Sequence, residues 1–224
     1  MEESLKGVHK NMIALGCGSL GHANYLAHFT NMIEYSWNQL AVLQAAHCCE
    51  IFLKARLAQE HPLLIFESLP KSTSQQFNGT GKLDFDSLIQ SGRTIEYSSL
   101  PEKVWAATGF RFSQSQLELY KKFGALRNSI QHFAAPNTDL YTIVTQFIYE
   151  VIDPFINEQW GLFAIDFCDD SEPYENLVPL LAMRNTFFLI PPTLGARVID
   201  LINDGTPSYI ARMRAKALDC GYIK

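Results

Sequence analysis

Apolar residues recur at three- and four-residue steps along most of this chain, and two-residue alternation is scarce. Between residues 23 and 58 the step is carried by Ile33, Trp37, Leu40, Gln44, Cys48, Ile51 and Ala55, all but Gln44 apolar or small. This predicts one long helix, or two with a bend near Thr30-Asn31, ending before Pro62. Residues 63–69 read as a short helix or helical turn, and residues 70–82 as a loop by composition. Short helices are expected at about 83–91 and 99–108, with a brief extended segment at 94–97. Ser113, with Gln116 three positions on, is a helix-start signature. Behind it Leu119, Phe123, Leu126, Ile130 and Phe133 form a core-facing stripe, and the helix stops before Pro136. The next helix covers about 138–152, breaks at Pro154 and resumes to about 160. Residues 166–176 are an acidic surface connection. Two or three further helices fill 177–224, separated by Pro191-Pro192 and Gly205-Thr206-Pro207. With no internal repeat and few strand signals, the pattern predicts an all-α helical bundle.

Composition sets the bounds. At 224 residues, with 47% hydrophobic and 12% aromatic content, the chain can bury a real core as one domain, or one domain with an extension. A net charge of −5 argues against a broad basic surface, so any RNA contact must be local or assembled from two subunits. The cysteines are odd in number and irregularly spaced, and two are adjacent, which reads as a reduced, cytoplasmic pattern. Residues 1–30 lack the long apolar stretch of a signal peptide, and no apolar run is long enough for a membrane span.

The richest chemistry lies at Arg127-Asn128-Ser129-Ile130-Gln131-His132. Arg and His at this spacing arise by chance roughly once in five such chains; adding the Asn lowers that to about one per cent. At about 100° per residue, Asn128 and His132 fall within roughly 40° of each other, opposite the apolar stripe. Gln131 and Gly124 share that side, and Arg127 stands at its border. His132 can act as general acid or base near neutral pH, Arg127 can hold a phosphodiester, and Asn128 can orient either imidazole or substrate. The competing reading is a solvated helix face with an ordinary histidine.

Other motifs carry less. Gly16-x-Gly18-x-x-Gly21 matches a dinucleotide fingerprint in letters, but the flanking strands are missing, so a flexible N-terminal loop or a helix cap is expected. His47, Cys48 and Cys49 are consecutive on a helix, so they cannot share one ion, and burial of the cysteines is expected. His47, Glu50 and Lys54 form a polar ridge. Glu50 and Lys54 suit an i,i+4 surface pair, or support for His132 or Arg127. The carboxylates from Asp166 to Glu175 lack metal-site spacing.

Arg127-Asn128-x-x-x-His132, together with His47-x-x-Glu50-x-x-Leu53-Lys54-Ala55 upstream, resembles the HEPN superfamily of small α-helical domains. The resemblance covers roughly residues 25–155, giving a HEPN-like domain at 1–158 and a C-terminal helical extension at 159–224. It implies a metal-independent endoribonuclease, needing no cofactor, in which two protomers bring their motif helices together. Arg127, Asn128 and His132 are then the catalytic candidates, with Glu50, His47, Lys54 and Gln131 in support. The implied partners are RNA, a second copy of the chain, and an antitoxin or regulatory protein. The implied role is that of a toxin or defence effector. Some members of the family are non-catalytic modules that bind a nucleotide or a protein partner, and that is the alternative. A structural dimer in which the motif serves as an interface is a third.

Overall fold

Caps and ring packing, more than helix propensity, decide where this chain turns and which faces it buries. A computed structural model describes residues 7–29, 35–68, 85–133 and 139–224. The bend at Thr30-Asn31, the loop at 70–82 and Pro136 lie outside the described residues. The fold is all-α. Its helices are α1 (Val8–His28), α2 (Tyr35–Glu60), α3 (Phe85–Ser91), α4 (Leu100–Thr108), α5 (Gln114–His132), α6 (Leu140–Gln146), α7 (Asp153–Trp160), α8 (Pro173–Met183), α9 (Val198–Leu201) and α10 (Pro207–Asp219). A single small sheet occurs among the described residues. It pairs β1 (Phe66–Ser68) antiparallel with β2 (Arg93–Thr94), setting Phe66 opposite Thr94.

Several expected boundaries move for local reasons. The turn expected at 63–69 shrinks to a 3-10 turn at Pro62–Ile65, because the His61 ring caps it by accepting from the Leu63 N–H at 3.2 Å and the chain then enters β1. The extended segment lies at Arg93–Thr94, since a 3-10 turn at Tyr97–Ser99 already leads into α4. The α5 start matches its signature: the Ser113 N–H donates to Gln116 Oε1 at 2.9 Å, and the Gln116 N–H donates to Ser113 Oγ at 3.3 Å. The expected break at Pro154 is absent. A π-helical turn at Phe147–Ile152 joins α6 to α7, so Pro154 enters in the first turn of a new α segment, where its missing N–H costs little.

The chain packs as two compact units, Met1–Gly16 with His47–Leu117, and Cys17–Ala46 with Glu118–Lys224. In the first, Phe52, Leu53, Leu88, Leu100 and Val104 are fully buried. The glycine motif is neither loop nor cap; it lies inside α1. A Cβ at Gly16 would sit 2.6 Å from Phe52 Cε1, so this glycine lets α2 approach α1. The same unit holds the Lys54–Glu50 pair at 2.7 Å, with side chains only 12% and 20% exposed, and Lys54 also reaches Thr94 Oγ1 at 3.3 Å. The pair is therefore a largely buried tie between α2 and β2 rather than a surface pair.

The second unit contains α5 from Glu118 onward and everything after it, including 159–224. Buried polar side chains tie its loops to its helices. Asn24 donates to the Ala164 and Phe167 carbonyls at 3.0 and 2.7 Å and accepts from the Tyr149 hydroxyl at 3.2 Å. Asp153 accepts from the Ala164 N–H at 2.7 Å and the Leu189 N–H at 2.9 Å. Asn185, left-handed at φ 56°, ends α8 and caps the approach to α10 by accepting from the Thr206 N–H at 3.0 Å.

The α5 core face differs from the expected stripe. Phe123 stacks on Phe147 with ring centroids 3.8 Å apart and planes within 4°, and Tyr120 and Gly124 are buried beside it. Leu119, Leu126 and Ile130 are only half-buried, and Phe133 is 89% exposed. The buried face is thus turned by about 90° from the aliphatic stripe. Ring stacking fixes the phase, and Gly124 clears space toward the core rather than on the outward polar side. Phe123→Ala should therefore destabilise the protein by about 3–5 kcal/mol, and Phe133→Ala by less than about 0.5 kcal/mol, in urea denaturation. The reverse ranking would restore the aliphatic stripe.

Candidate functional site

The last two turns of α5 leave the core. From Ala125 to Phe133 no residue is fully buried, and Asn128, Gln131 and His132 are exposed. Arg127 is half-buried, on the side that carries Gly124 one turn and Tyr120 two turns earlier. It was expected at the border of the polar face; the rotation of α5 brings it to the core side. Its guanidinium Nη1 donates to Asn128 Oδ1 at a long 3.4 Å. Asn128 and His132, one turn apart, share a face about 6 Å apart along the axis. Arg127 and His132 stand about 7.5 Å apart along the axis and about 140° apart around it. A single helix therefore presents a phosphate-binding cation and a proton-transfer group in different directions.

Of the supporting candidates, Gln131 lies in the same exposed turn as His132. His47, Glu50 and Lys54 belong to the first unit, where His47 is exposed and Lys54 is engaged by Glu50 and Thr94. Cys48 and Cys49 are buried, as expected. Among the described residues no three His, Cys, Asp or Glu side chains converge as a metal site. Nor is any helix there long and apolar enough to cross a membrane.

A second polar constellation escaped the sequence reading. His28, at the end of α1, is buried, and its Nδ1 lies 2.8 Å from the Tyr141 hydroxyl. The Arg184 guanidinium lies 3.5 Å over the centre of the Tyr141 ring. Burial, helped by the charge on Arg184, pushes the His28 pKa down to about 3, so the ring is neutral, and Nε2 has no partner among the described residues. Tyr141 is half-buried, and burial raises its pKa. At the start of α6 Asp139 accepts from the Thr142 N–H at 3.2 Å and from its hydroxyl; these bonds hold its pKa below the usual carboxylate value. Tyr141 and Arg184 form part of a cleft of about 250 Å³ whose walls also include Thr142, Gln146, Glu150 and Phe187. No local spacing could reveal this arrangement, because His28 and Tyr141 are 113 residues apart.

No protein-family profile, curated protein or solved structure matches the chain. The HEPN resemblance therefore rests on its own residues: Arg127, Asn128 and His132 on α5, and the His47-to-Ala55 stretch on α2.

The buried imidazole makes stability depend on pH. An unfolded chain protonates His28 near 6.5, whereas the folded chain resists until about 3. Protons then bind the unfolded state preferentially, so stability is lost as pH falls below about 6.5. Asp153, which burial pushes up to about 6, works the other way, binding a proton more readily when folded. Isolating His28 needs a variant. Relative to His28→Gln, wild-type protein should lose about 2 kcal/mol between pH 7.5 and pH 5. Parallel urea titrations of the two proteins with equal pH slopes would contradict a neutral buried His28.

Proposed function

We propose that the protein is a metal-independent endoribonuclease whose site is completed by α5 of a second copy. The observation that carries this reading is the placement of the motif. Asn128 and His132 are exposed together at the end of a helix anchored at Tyr120 and Phe123, while Arg127 leaves from another side of the same turn. Because Arg127 and His132 diverge on one helix, a paired α5 offers an arginine from one protomer alongside a histidine from the other. Two converging arginines also supply local positive charge to a chain of net charge −5.

In the proposed reaction His132 removes the proton from a ribose 2′-hydroxyl. The 2′-oxygen forms a bond to the adjacent phosphorus, and the bond from phosphorus to the 5′-oxygen breaks. The leaving oxygen takes up a proton, giving 2′,3′-cyclic phosphate and 5′-hydroxyl ends. Arg127 binds the non-bridging oxygens as negative charge builds, and Asn128 positions the reacting groups. A toxin or defence role, held in check by an antitoxin or regulator, accompanies this reading through the family resemblance alone.

Purified protein incubated with RNA in EDTA should yield cyclic-phosphate ends. Arg127→Ala and His132→Ala should each lower the rate by at least about 100-fold. Circular dichroism should stay unchanged, since neither side chain is fully buried. Cleavage that survives both substitutions, or wild-type protein inert toward tRNA, mRNA and rRNA, would overturn the assignment. Light scattering should show a dimer; a stable monomer with full activity would remove the need for a second α5.

A further inference from the structure

The outward face of α5 extends beyond the motif residues. Lys121, Ala125, Asn128 and His132 follow one another at steps of four, three and four, and all are exposed. On an α-helix these steps keep Lys121 within about 20° of both Asn128 and His132. Ala125 carries only a methyl group, so no bulky side chain on this line separates the lysine from the motif. Lys122, also exposed, flanks the line. Among the described residues neither lysine enters an ion pair. No Asp or Glu lies between Glu118 and Asp139, a span that holds Lys121, Lys122, Arg127 and His132. The chain as a whole carries 23 carboxylate side chains and a net charge of −5, so this stretch is a local excess of positive charge in an acidic protein. At its far end Phe133 is still helical, its N–H donating to the Ser129 carbonyl at 2.9 Å, and its ring is 89% exposed. An aromatic ring standing in water beside a row of cations offers a stacking surface to an unpaired base.

A polyanion complements this row, and its width favours one strand over two. The row is one helix wide, whereas a duplex spreads its phosphates across a groove and needs a broader basic face. A single strand also leaves its bases free to stack on Phe133. We propose that α5 carries a track for single-stranded RNA, in which Lys121 binds a backbone phosphate outside the cleaved linkage and Phe133 stacks a base beside it. This rests on the ribonuclease reading of Arg127 and His132 and adds a substrate class to it. Along the axis Lys121 stands roughly 10 Å from Asn128 and roughly 16 Å from His132. A strand stacked at about 3.4 Å per nucleotide brings to Lys121 the phosphate roughly three to five nucleotides from the motif. The preferred substrate is therefore an unpaired segment of at least about five nucleotides, and shorter ones forgo the lysine contact.

Fluorescence anisotropy with a labelled, unstructured RNA strand of about twelve nucleotides tests the track. The full chain is used in the His132→Ala background, so that binding is read without cleavage. The slope of log affinity against log salt should lose about 0.7 when Lys121→Ala is added, and keep its value with Lys121→Arg. Phe133→Ala should weaken binding about ten-fold. Lys103→Ala, which removes an exposed lysine on α4, should change neither quantity. Lys121 and Phe133 are exposed, so their variants should fold, and circular dichroism verifies that. No binding of the strand, an unchanged slope in Lys121→Ala, an equal loss in Lys103→Ala or undiminished binding in Phe133→Ala overturns the track. So does an RNA duplex, or polyglutamate, that binds as tightly as the strand. Cleavage is scored separately with His132 in place. Strand binding with the expected Lys121 decrement but no cleavage leaves the track standing and removes the ribonuclease reading; cleavage with no Lys121 decrement does the reverse.

Discussion

The parallel stack of Phe123 on Phe147 is the constraint from which the rest of the second unit takes its orientation. Two rings 3.8 Å apart permit one rotational setting of α5 against the π-helical turn, and that setting decides what every later residue of α5 faces. Tyr120 and Gly124 go inward with Phe123, while Asn128 and His132 go outward. The aliphatic residues that looked like the core stripe end up at its margin. Aromatic contacts outweigh them because each ring buries more surface and adds a directional preference of its own.

The same rotation separates the chemistry of the motif into two directions. A cation leaving near the core side and an imidazole leaving toward solvent cannot both serve one phosphate from one helix without a long reach. In the proposed dimer a second helix run alongside would return the missing group to each side. The cleft at Tyr141 follows a different plan. There the groups come from separate elements, α6, the π turn and the segment after α8, and converge on one space within a single chain. Which side chains meet at the end of α5 and in the cleft thus follows from packing rather than from the motif's letters.

Much of the helical scaffold was legible in the sequence, and the reasons are local. The capping pair Ser113 and Gln116 marked the start of α5, and Gly109 with φ 78° closes α4 where the periodicity stops. What was not legible depends on distant partners. Gly16 looked like part of a flexible N-terminal loop or a helix cap, yet its role is set by Phe52, 36 positions later, which needs the space a side chain would fill. Glu50 and Lys54 looked like a surface pair, because their burial against Thr94 is a tertiary fact. Pro154 looked like a break, because nothing in its neighbours' composition announces a π turn. The motif residues themselves were visible as a pattern; their facing was not, since the phase of α5 is decided by a residue on another helix.

The π turn at Phe147–Ile152 also bears on how this chain tolerates change in length. A turn closed by bonds to the fifth residue holds one residue more than an α turn. It is the one place in the rod from Leu140 to Trp160 where a residue is stored in the backbone without a loop. Removing it would let the rod run as uninterrupted α-helix and swing everything downstream by about 100°. Asp153 would then leave the Ala164 and Leu189 amides, and Tyr149 would leave Asn24, while Phe147 kept its place against α5. The turn acts as a phase adapter between two neighbours with incompatible registers, the motif helix on one side and the loops of the C-terminal segment on the other.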